Sequence, residues 1–99
     1  MAERRPMRVR RIVLDLSDVA DLDHLNRMLA DALGFPAWYG KNWDAFHDAI
    51  TGLVDMPEHL EIAGWPSFER RFPRDAAIMK GCLDSMSRQL PMLAARVVY

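Results

Sequence analysis

The apolar residues of this chain change their spacing from one segment to the next, and that change limits the folds it can adopt. Over residues 9–16 they are aliphatic and alternate along the chain, which predicts a β-strand. Val13, on the second face of this strand, predicts that both faces are at least partly covered. After Asp21, apolar residues recur at three- and four-residue steps as far as Gly34. This pattern predicts an amphipathic helix with Asp21 as its N-cap and Gly34 past its end.

The alternation of strand-like and helix-like segments continues along the chain. Further helices are predicted over residues 43–51 and 76–90, a helical turn over 66–72, and strands over 59–62 and 93–99. The residues expected to start or end these helices are Asn42, Gly52, Pro73, Asp75 and Pro91, and those expected on the inner face of the last helix are Ile78, Met79, Cys82, Leu83 and Met86. Strands alternating with helices favour a parallel sheet with right-handed crossovers. We therefore predict an α/β fold, with a three-stranded parallel sheet and packed helices.

Length and composition favour one domain. The chain has 99 residues, of which 51% are hydrophobic and 27% charged, the usual balance of a soluble globular domain. We expect a flexible basic N-terminus over residues 1–8 and a single folded domain over 9–99. No apolar run approaches the roughly 20 residues of a membrane span, and the arginine-rich start lacks the apolar core of a secretory signal. A single cysteine, Cys82, suits a reducing compartment, so we expect a cytoplasmic protein.

Charge is distributed unevenly. Residues 1–11 hold five arginines and one glutamate and carry +4, so the remaining residues carry −5 of the net −1. An acidic body is a poor nucleic-acid binder and a suitable partner for a basic protein. The arginines themselves have two interpretations, either a contact with RNA or a solvated flank of the domain.

The predicted helix over residues 43–51 separates into two faces. Phe46 and Ile50 lie four residues apart and form an inner face, together with Leu53 or Val54 beyond the helix end. The outer face carries Asp44, His47, Asp48 and Thr51 at three- and four-residue steps. Two like charges at this spacing repel, so helix stability gives no reason for them. Trp38 and Trp43 border the face, and rings beside carboxylates are typical of protein-binding surfaces.

The outer face of this helix could equally have a simpler role. It could be an ordinary solvated face, with Trp43 in the core and Trp38 beside the turn. Asp44, His47 and Asp48 could also bind a metal, but three ligands on one short helix seldom converge on one ion. We expect neither a metal nor a cofactor.

The segment over residues 39–48, Tyr-Gly-Lys-Asn-Trp-Asp-Ala-Phe-His-Asp, continues to Thr51-Gly52 and Pro57 and resembles the signature turn and second helix of the barstar family. The similarity of layout covers nearly all of residues 9–99. It implies a three-stranded parallel sheet with packed helices. It also implies an intracellular inhibitor of a secreted microbial ribonuclease of the barnase kind, whose helix carboxylates occupy the active site in place of the RNA phosphate.

The resemblance also implies a set of contact residues. Asp48 would be the central anion and Asp44 its neighbour. The rest of the surface would comprise Trp38, Asn42, Trp43, His47, Thr51, Gly52 and Leu53, with Asp84 on the last helix as a more distant acidic contact. His47 and Leu53 replace large aromatic residues of a well-known family member, so the target enzyme need not be barnase itself.

Two further functions compete with inhibition of a ribonuclease. A barstar-like domain could bind a different toxin, as an immunity protein does, or a regulatory partner. An enzyme is disfavoured, because the chain has no glycine-rich phosphate loop, no nucleophile motif and no acid–base set beyond Asp44, His47 and Asp48. We expect a monomer that forms a 1:1 complex with its protein partner, with neither nucleic acid nor membrane as a partner.

Overall fold

Three short strands form the sheet of this protein, whose computed structural model describes residues 8–99. The strands are β1 (Arg11–Asp15), β2 (His59–Ala63) and β3 (Arg96–Val98). They run parallel in the order β1-β2-β3, and Val13 lies opposite Glu61, which lies opposite Val98. The predicted α/β fold with a three-stranded parallel sheet is confirmed, although β1 and β3 are shorter than predicted.

Helices join the strands. Over the described residues they are α1 (Leu22–Leu33), α2 (Trp43–Asp48), a π-helical segment (Ala49–Leu53), α3 (Trp65–Arg71) and α4 (Pro73–Gln89). α1 begins and ends as predicted. The side chain of Asp21 accepts a hydrogen bond from the backbone N–H of His24 at 2.8 Å, and Gly34 follows the helix with a left-handed φ of 75°.

The second helix does not stop at Gly52, which corrects the prediction. After α2 the helix widens into the π-helical segment, where the N–H of Val54 donates to the carbonyl of Ala49 at 3.2 Å. Thr51 Oγ1 donates to the carbonyl of His47 at 2.7 Å, and such bonds to the preceding turn distort helices. Gly52 lies inside this segment, which ends at Leu53, and it does not adopt the positive φ of a helix-ending glycine.

Pro73 begins α4, whereas the sequence predicted that it ends the preceding helical turn. A proline fits the first position of a helix because the N–H that it lacks has no partner there in any case. Asp75 therefore lies within the first turn of α4 and is not its N-cap. Its carboxylate instead accepts a hydrogen bond from the indole N–H of Trp43 at 2.9 Å.

The hydrophobic core lies between the helices and one face of the sheet. Its largest fully buried side chains are Phe46, Phe68, Leu16, Leu25, Leu29, Ile50, Met56, Leu60 and Met79. On α4, three of the residues predicted on the inner face are buried, namely Met79, Leu83 and Met86. Cys82, also predicted there, is partly buried. The prediction is wrong for Ile78, which is 38% exposed, and Ala76 is buried in its place.

The second face of the sheet is open to solvent, so the prediction that it is partly covered was wrong. Val13 and Val98 on this face are each 52% exposed. Arg11 and Glu61 pair across the same face at 2.6 Å. Parallel sheets are usually covered on both faces, but a chain of this length can build only one core, and the core lies on the other face.

Arg8, which we expected in the flexible N-terminus, is bonded to two loops. Its guanidinium donates to the carbonyls of Met56 at 2.9 Å and Pro57 at 3.0 Å, just before β2. It also donates to three carbonyls of the turn between α4 and β3 at 3.3–3.4 Å. The rest of the predicted flexible segment, residues 1–7, lies outside the described residues.

Candidate protein-binding surface

The candidate surface begins where the chain turns into α2. Lys41 adopts a φ of 56°, and the next residue, Asn42, is extended and caps the helix. Asn42 Oδ1 accepts a hydrogen bond from the backbone N–H of Ala45 at 2.7 Å. This cap fixes the first turn of α2, the turn that carries Asp44.

The inner side of α2 is fixed by aromatic packing. Phe46 is 0% exposed and Ile50 is 1% exposed, as the sequence predicted. The ring of Phe46 lies edge-on to Trp43 at a centroid distance of 5.4 Å and to Phe35 at 6.0 Å. Since the inner face cannot leave the core, the outer face of the helix is also defined.

The outer side of α2 carries two exposed carboxylates one helical turn apart, those of Asp44 and Asp48. His47 and Thr51 beside them are partly buried, whereas Gly52 and Leu53 are exposed, the latter by 44%. We call the surface formed by Asp44, His47, Asp48, Thr51, Gly52 and Leu53 the acidic face. Helical spacing places Asp44, His47, Asp48 and Thr51 on one side of α2 and the π-helical segment, and Gly52 and Leu53 follow at its end. Of the two residues expected to continue the inner face, Val54 packs against the core and Leu53 does not.

Trp38 is the most exposed aromatic residue among those described, at 71%, and it lies on the turn that precedes α2. Its neighbour Tyr39 is buried, and the Tyr39 hydroxyl donates to Asn26 Oδ1 at 2.8 Å. Asn26 in turn donates to the carbonyl of Leu22 at 2.9 Å, within α1. Burial, with a smaller contribution from Cys82, raises the pKa of Tyr39 to about 12.

Asn26 and Tyr39 hold this turn, and neither was predicted to do so from the sequence. A signal was present, because Asn26 is a polar residue directly after Leu25 in the apolar stripe of α1. An amide so close to the core needs a hydrogen-bond partner, and the buried hydroxyl of Tyr39 provides it.

Trp43 differs from Trp38, because it is partly buried and faces α4. Its indole N–H donates to Asp75 Oδ1 at 2.9 Å, and Cys82 Sγ lies 3.9 Å from its backbone carbonyl. Burial raises the pKa of the Cys82 thiol, and the nearby Asp44 carboxylate raises it further. Trp43 therefore packs between the acidic face and α4, and it contributes less exposed surface than Trp38 does.

Asp84 lies apart from the acidic face. Successive helical residues turn by about 100°, so Asp84 lies about 200° around α4 from Cys82, which contacts α2. It lies near Tyr99, whose pKa is raised to about 12 first by burial and then by the Asp84 charge. The structure therefore does not bring Asp84 together with Asp44 and Asp48.

The described part of the chain offers neither a metal site nor a membrane span. Over residues 8–99, no three His, Cys, Asp or Glu side chains come together as a metal site. No helix in that range is long and apolar enough to cross a membrane.

A short helix with its inner side in the core, and with two carboxylates and a nearby tryptophan exposed, is typical of a small protein-binding domain.

Comparison with known proteins gives the family. Residues 9–98 match the family described as Barstar (barnase inhibitor), and the chain belongs to the barstar family. The chain is also similar to the "Putative ribonuclease inhibitor YrdF" of Bacillus subtilis (strain 168), with 43% identity over 54 residues. The aligned part covers 54% of this chain and 59% of that relative, so the chain spans less than two thirds of its length.

Proposed function

We propose that this protein inhibits a secreted microbial ribonuclease of the barnase kind by placing the carboxylates of α2 in its active site. Asp48 would occupy the central phosphate position, with Asp44 beside it. The observation that supports this most is the orientation of α2. Phe46 and Ile50 are buried in the core, so the two exposed carboxylates point away from the domain.

The chemistry of a ribonuclease site suits this surface. Such an enzyme concentrates cationic side chains to bind a phosphate and its transition state. Carboxylates form charge-assisted hydrogen bonds with these cations, and those bonds are stronger than neutral ones. The helix is held by its cap and by the core, so little ordering is needed when it binds.

The proposed contact surface extends beyond the two carboxylates. Trp38 would provide the exposed aromatic anchor, because interface hot spots are rich in tryptophan. The other proposed contacts are Asn42, Trp43, His47, Thr51, Gly52 and Leu53, with Asp84 as a separate acidic contact on α4. The protein would act in the cytoplasm as a binding protein without catalysis, in a 1:1 complex.

A second candidate is an immunity or regulatory domain that binds a partner other than a barnase-like ribonuclease. The observation in its favour is the composition of the acidic face, which holds partly buried His47 and exposed Leu53. By the resemblance to the barstar family, these two residues replace large aromatic residues of a well-known member. Such positions shape the contact with a particular partner.

The test is inhibition of RNA cleavage by a panel of small secreted bacterial ribonucleases that includes barnase. Asp48→Ala should weaken binding to an inhibited enzyme by about 2 kcal/mol or more, the usual threshold for a hot spot. Asp31→Ala, an exposed aspartate on α1, is the matched control and should bind normally. If the panel is not inhibited, or if both variants bind like the parent protein, the proposed mechanism is wrong.

A further inference from the structure

α2, which carries the acidic face on its outer side, packs against α4. α2 and the π-helical segment comprise 6 and 5 residues, a length that is not stable as an isolated helix in water. Its inner side chains, Phe46 and Ile50, contribute hydrophobic contacts, which are not directional. A helix held by such contacts alone can roll about its axis, and a roll would move both carboxylates.

A directional contact lies at the first residue of α2. The indole N–H of Trp43 donates to Asp75 Oδ1 at 2.9 Å, between residues 32 positions apart. The same ring lies edge-on to Phe46, with an interplanar angle of 88°. Trp43 is thus held on one side by the core and on the other by α4.

We propose, taking the proposed function as given, that Asp75 is a positioning residue. By accepting the indole N–H of Trp43, it fixes the direction in which α2 presents Asp44 and Asp48 to the ribonuclease. Asp75 itself makes no contact with the enzyme and acts through Trp43.

The place of Trp43 in the chain explains why one bond can have this effect. Asp44 is the next residue along α2, and Asp48 follows one turn later. A partly buried indole N–H requires an acceptor, and a carboxylate is a strong one. Without it, the ring would have to turn towards water, and the first turn of α2 would shift with it. A preorganised face would thereby become one that must be ordered on binding.

The test compares two substitutions of Asp75 that remove the same charge. Asp75→Asn keeps an acceptor oxygen for Trp43, whereas Asp75→Leu keeps the branching of the side chain and removes the acceptor. The first measurement uses the free protein, in which solvent exchange of the Trp43 indole hydrogen is followed by NMR. Asp75→Leu should raise that exchange rate about tenfold or more, whereas Asp75→Asn should keep it within a few-fold of the parent rate.

The second measurement is the kinetics of binding to an inhibited ribonuclease from the same panel. Asp75→Leu should raise the dissociation rate about tenfold, whereas Asp75→Asn should leave it near the parent rate. Both variants lose one negative charge, so any slowing of association should be the same in the two. Equal dissociation rates for Asn and Leu would overturn the proposal, as would unchanged indole exchange in Asp75→Leu.

A second route covers the case in which Asp75→Leu fails to fold. Trp43→Phe keeps a ring against Phe46 and removes the N–H, so it should raise the dissociation rate as Asp75→Leu does. Asp75→Ala, which removes the acceptor without adding bulk, should also raise the dissociation rate. If the two residues act through one bond, Trp43→Phe combined with Asp75→Ala should dissociate no faster than Trp43→Phe alone. A parent protein that binds none of the ribonucleases would refute the proposed function. The indole exchange would still decide whether Asp75 holds Trp43.

Discussion

Two glycines lie inside helical segments where an added methyl group has room. A Cβ built at Gly52, on the acidic face, or at Gly81, in α4, meets no atom within 4 Å. Neither glycine has a positive φ. Replacing either with alanine should therefore stabilise the fold by about 0.4–1 kcal/mol, because alanine restricts the unfolded chain.

The two variants should differ in binding. Gly52→Ala adds a methyl group to the proposed interface and should weaken binding to the proposed ribonuclease partner, whereas Gly81→Ala should bind like the parent protein. Chemical denaturation and a binding titration of both variants make the comparison. Normal binding by Gly52→Ala would remove Gly52 from the proposed contact surface.

Both tyrosines of the chain affect stability at high pH. Burial is the main reason that the pKa values of Tyr39 and Tyr99 are raised to about 12. The folded protein favours the neutral phenol over the phenolate. The contribution of the two phenols to the free energy of unfolding is therefore complete below about pH 10, the pKa of tyrosine in the unfolded chain. This contribution is lost as the pH rises towards 12. Unfolding at increasing pH should therefore show a loss of stability in this window. Absorbance of the phenolate should rise in the same window.

The control for this pH dependence is Tyr99→Phe, which removes one phenol and leaves the bond between Tyr39 and Asn26 intact. The loss of stability between pH 10 and 12 should become smaller in this variant. A parent protein whose phenolate absorbance is complete by pH 10 would contradict the raised pKa values.

At the scale of the elements, α2 allows the predicted faces to be tested directly. Phe46 is completely buried, whereas the adjacent His47 is partly exposed on the acidic face. Phe46→Ala should cost about 3–5 kcal/mol of stability, because it leaves a cavity the size of a ring. His47→Ala should change stability by less than about 1 kcal/mol and should alter binding. Thermal melting and binding of both variants would test this, and the opposite pattern of stabilities would mean that the helix faces are misassigned.

Elements defined by local patterns were predicted well, and those defined by distant contacts were not. α1 was predicted at both ends, because Asp21 and Gly34 act on their own helix. The role of Asp75 was missed, since its partner Trp43 lies 32 residues earlier in the chain. Pro73 was misjudged because a proline can follow one helix and begin another, and the sequence around it is consistent with both.

In the candidate surface, too, features set by local spacing were predicted and features set by distant contacts were not. The outward carboxylates and the buried Phe46 and Ile50 follow from helical spacing within one short segment, so the sequence predicts them. That Trp38 is exposed while Trp43 is anchored to α4 depends on tertiary packing, and the spacing of the two rings does not reveal it. Asp84 could not be oriented from the sequence, because its direction depends on where α4 meets α2.

At the scale of the whole molecule, the charges of the basic start and of the remaining residues differ in sign, and two of the basic residues have defined partners. Of the five arginines in residues 1–11, Arg8 donates to backbone carbonyls and Arg11 pairs with Glu61 on the open sheet face. The residues after 11 carry −5 of the net −1. A basic enzyme would therefore meet a negatively charged body.

Salt should therefore slow the association of the protein with the ribonuclease proposed as its partner. The Debye length falls from about 10 Å at 0.1 M to about 3 Å at 1 M salt, so the attraction that guides the encounter is screened. Dissociation should change much less, because contacts inside the complex are partly shielded from the ions.

Stopped-flow kinetics of the parent protein, Asp44→Ala and Trp38→Ala separate the contributions of charge and of ring contacts. Asp44→Ala should reduce the dependence of the association rate on salt, whereas Trp38→Ala should raise the dissociation rate and leave that dependence unchanged. An association rate of the parent that is the same at both salt concentrations would mean that the carboxylates do not guide the encounter, and Trp38 would then be the main contact.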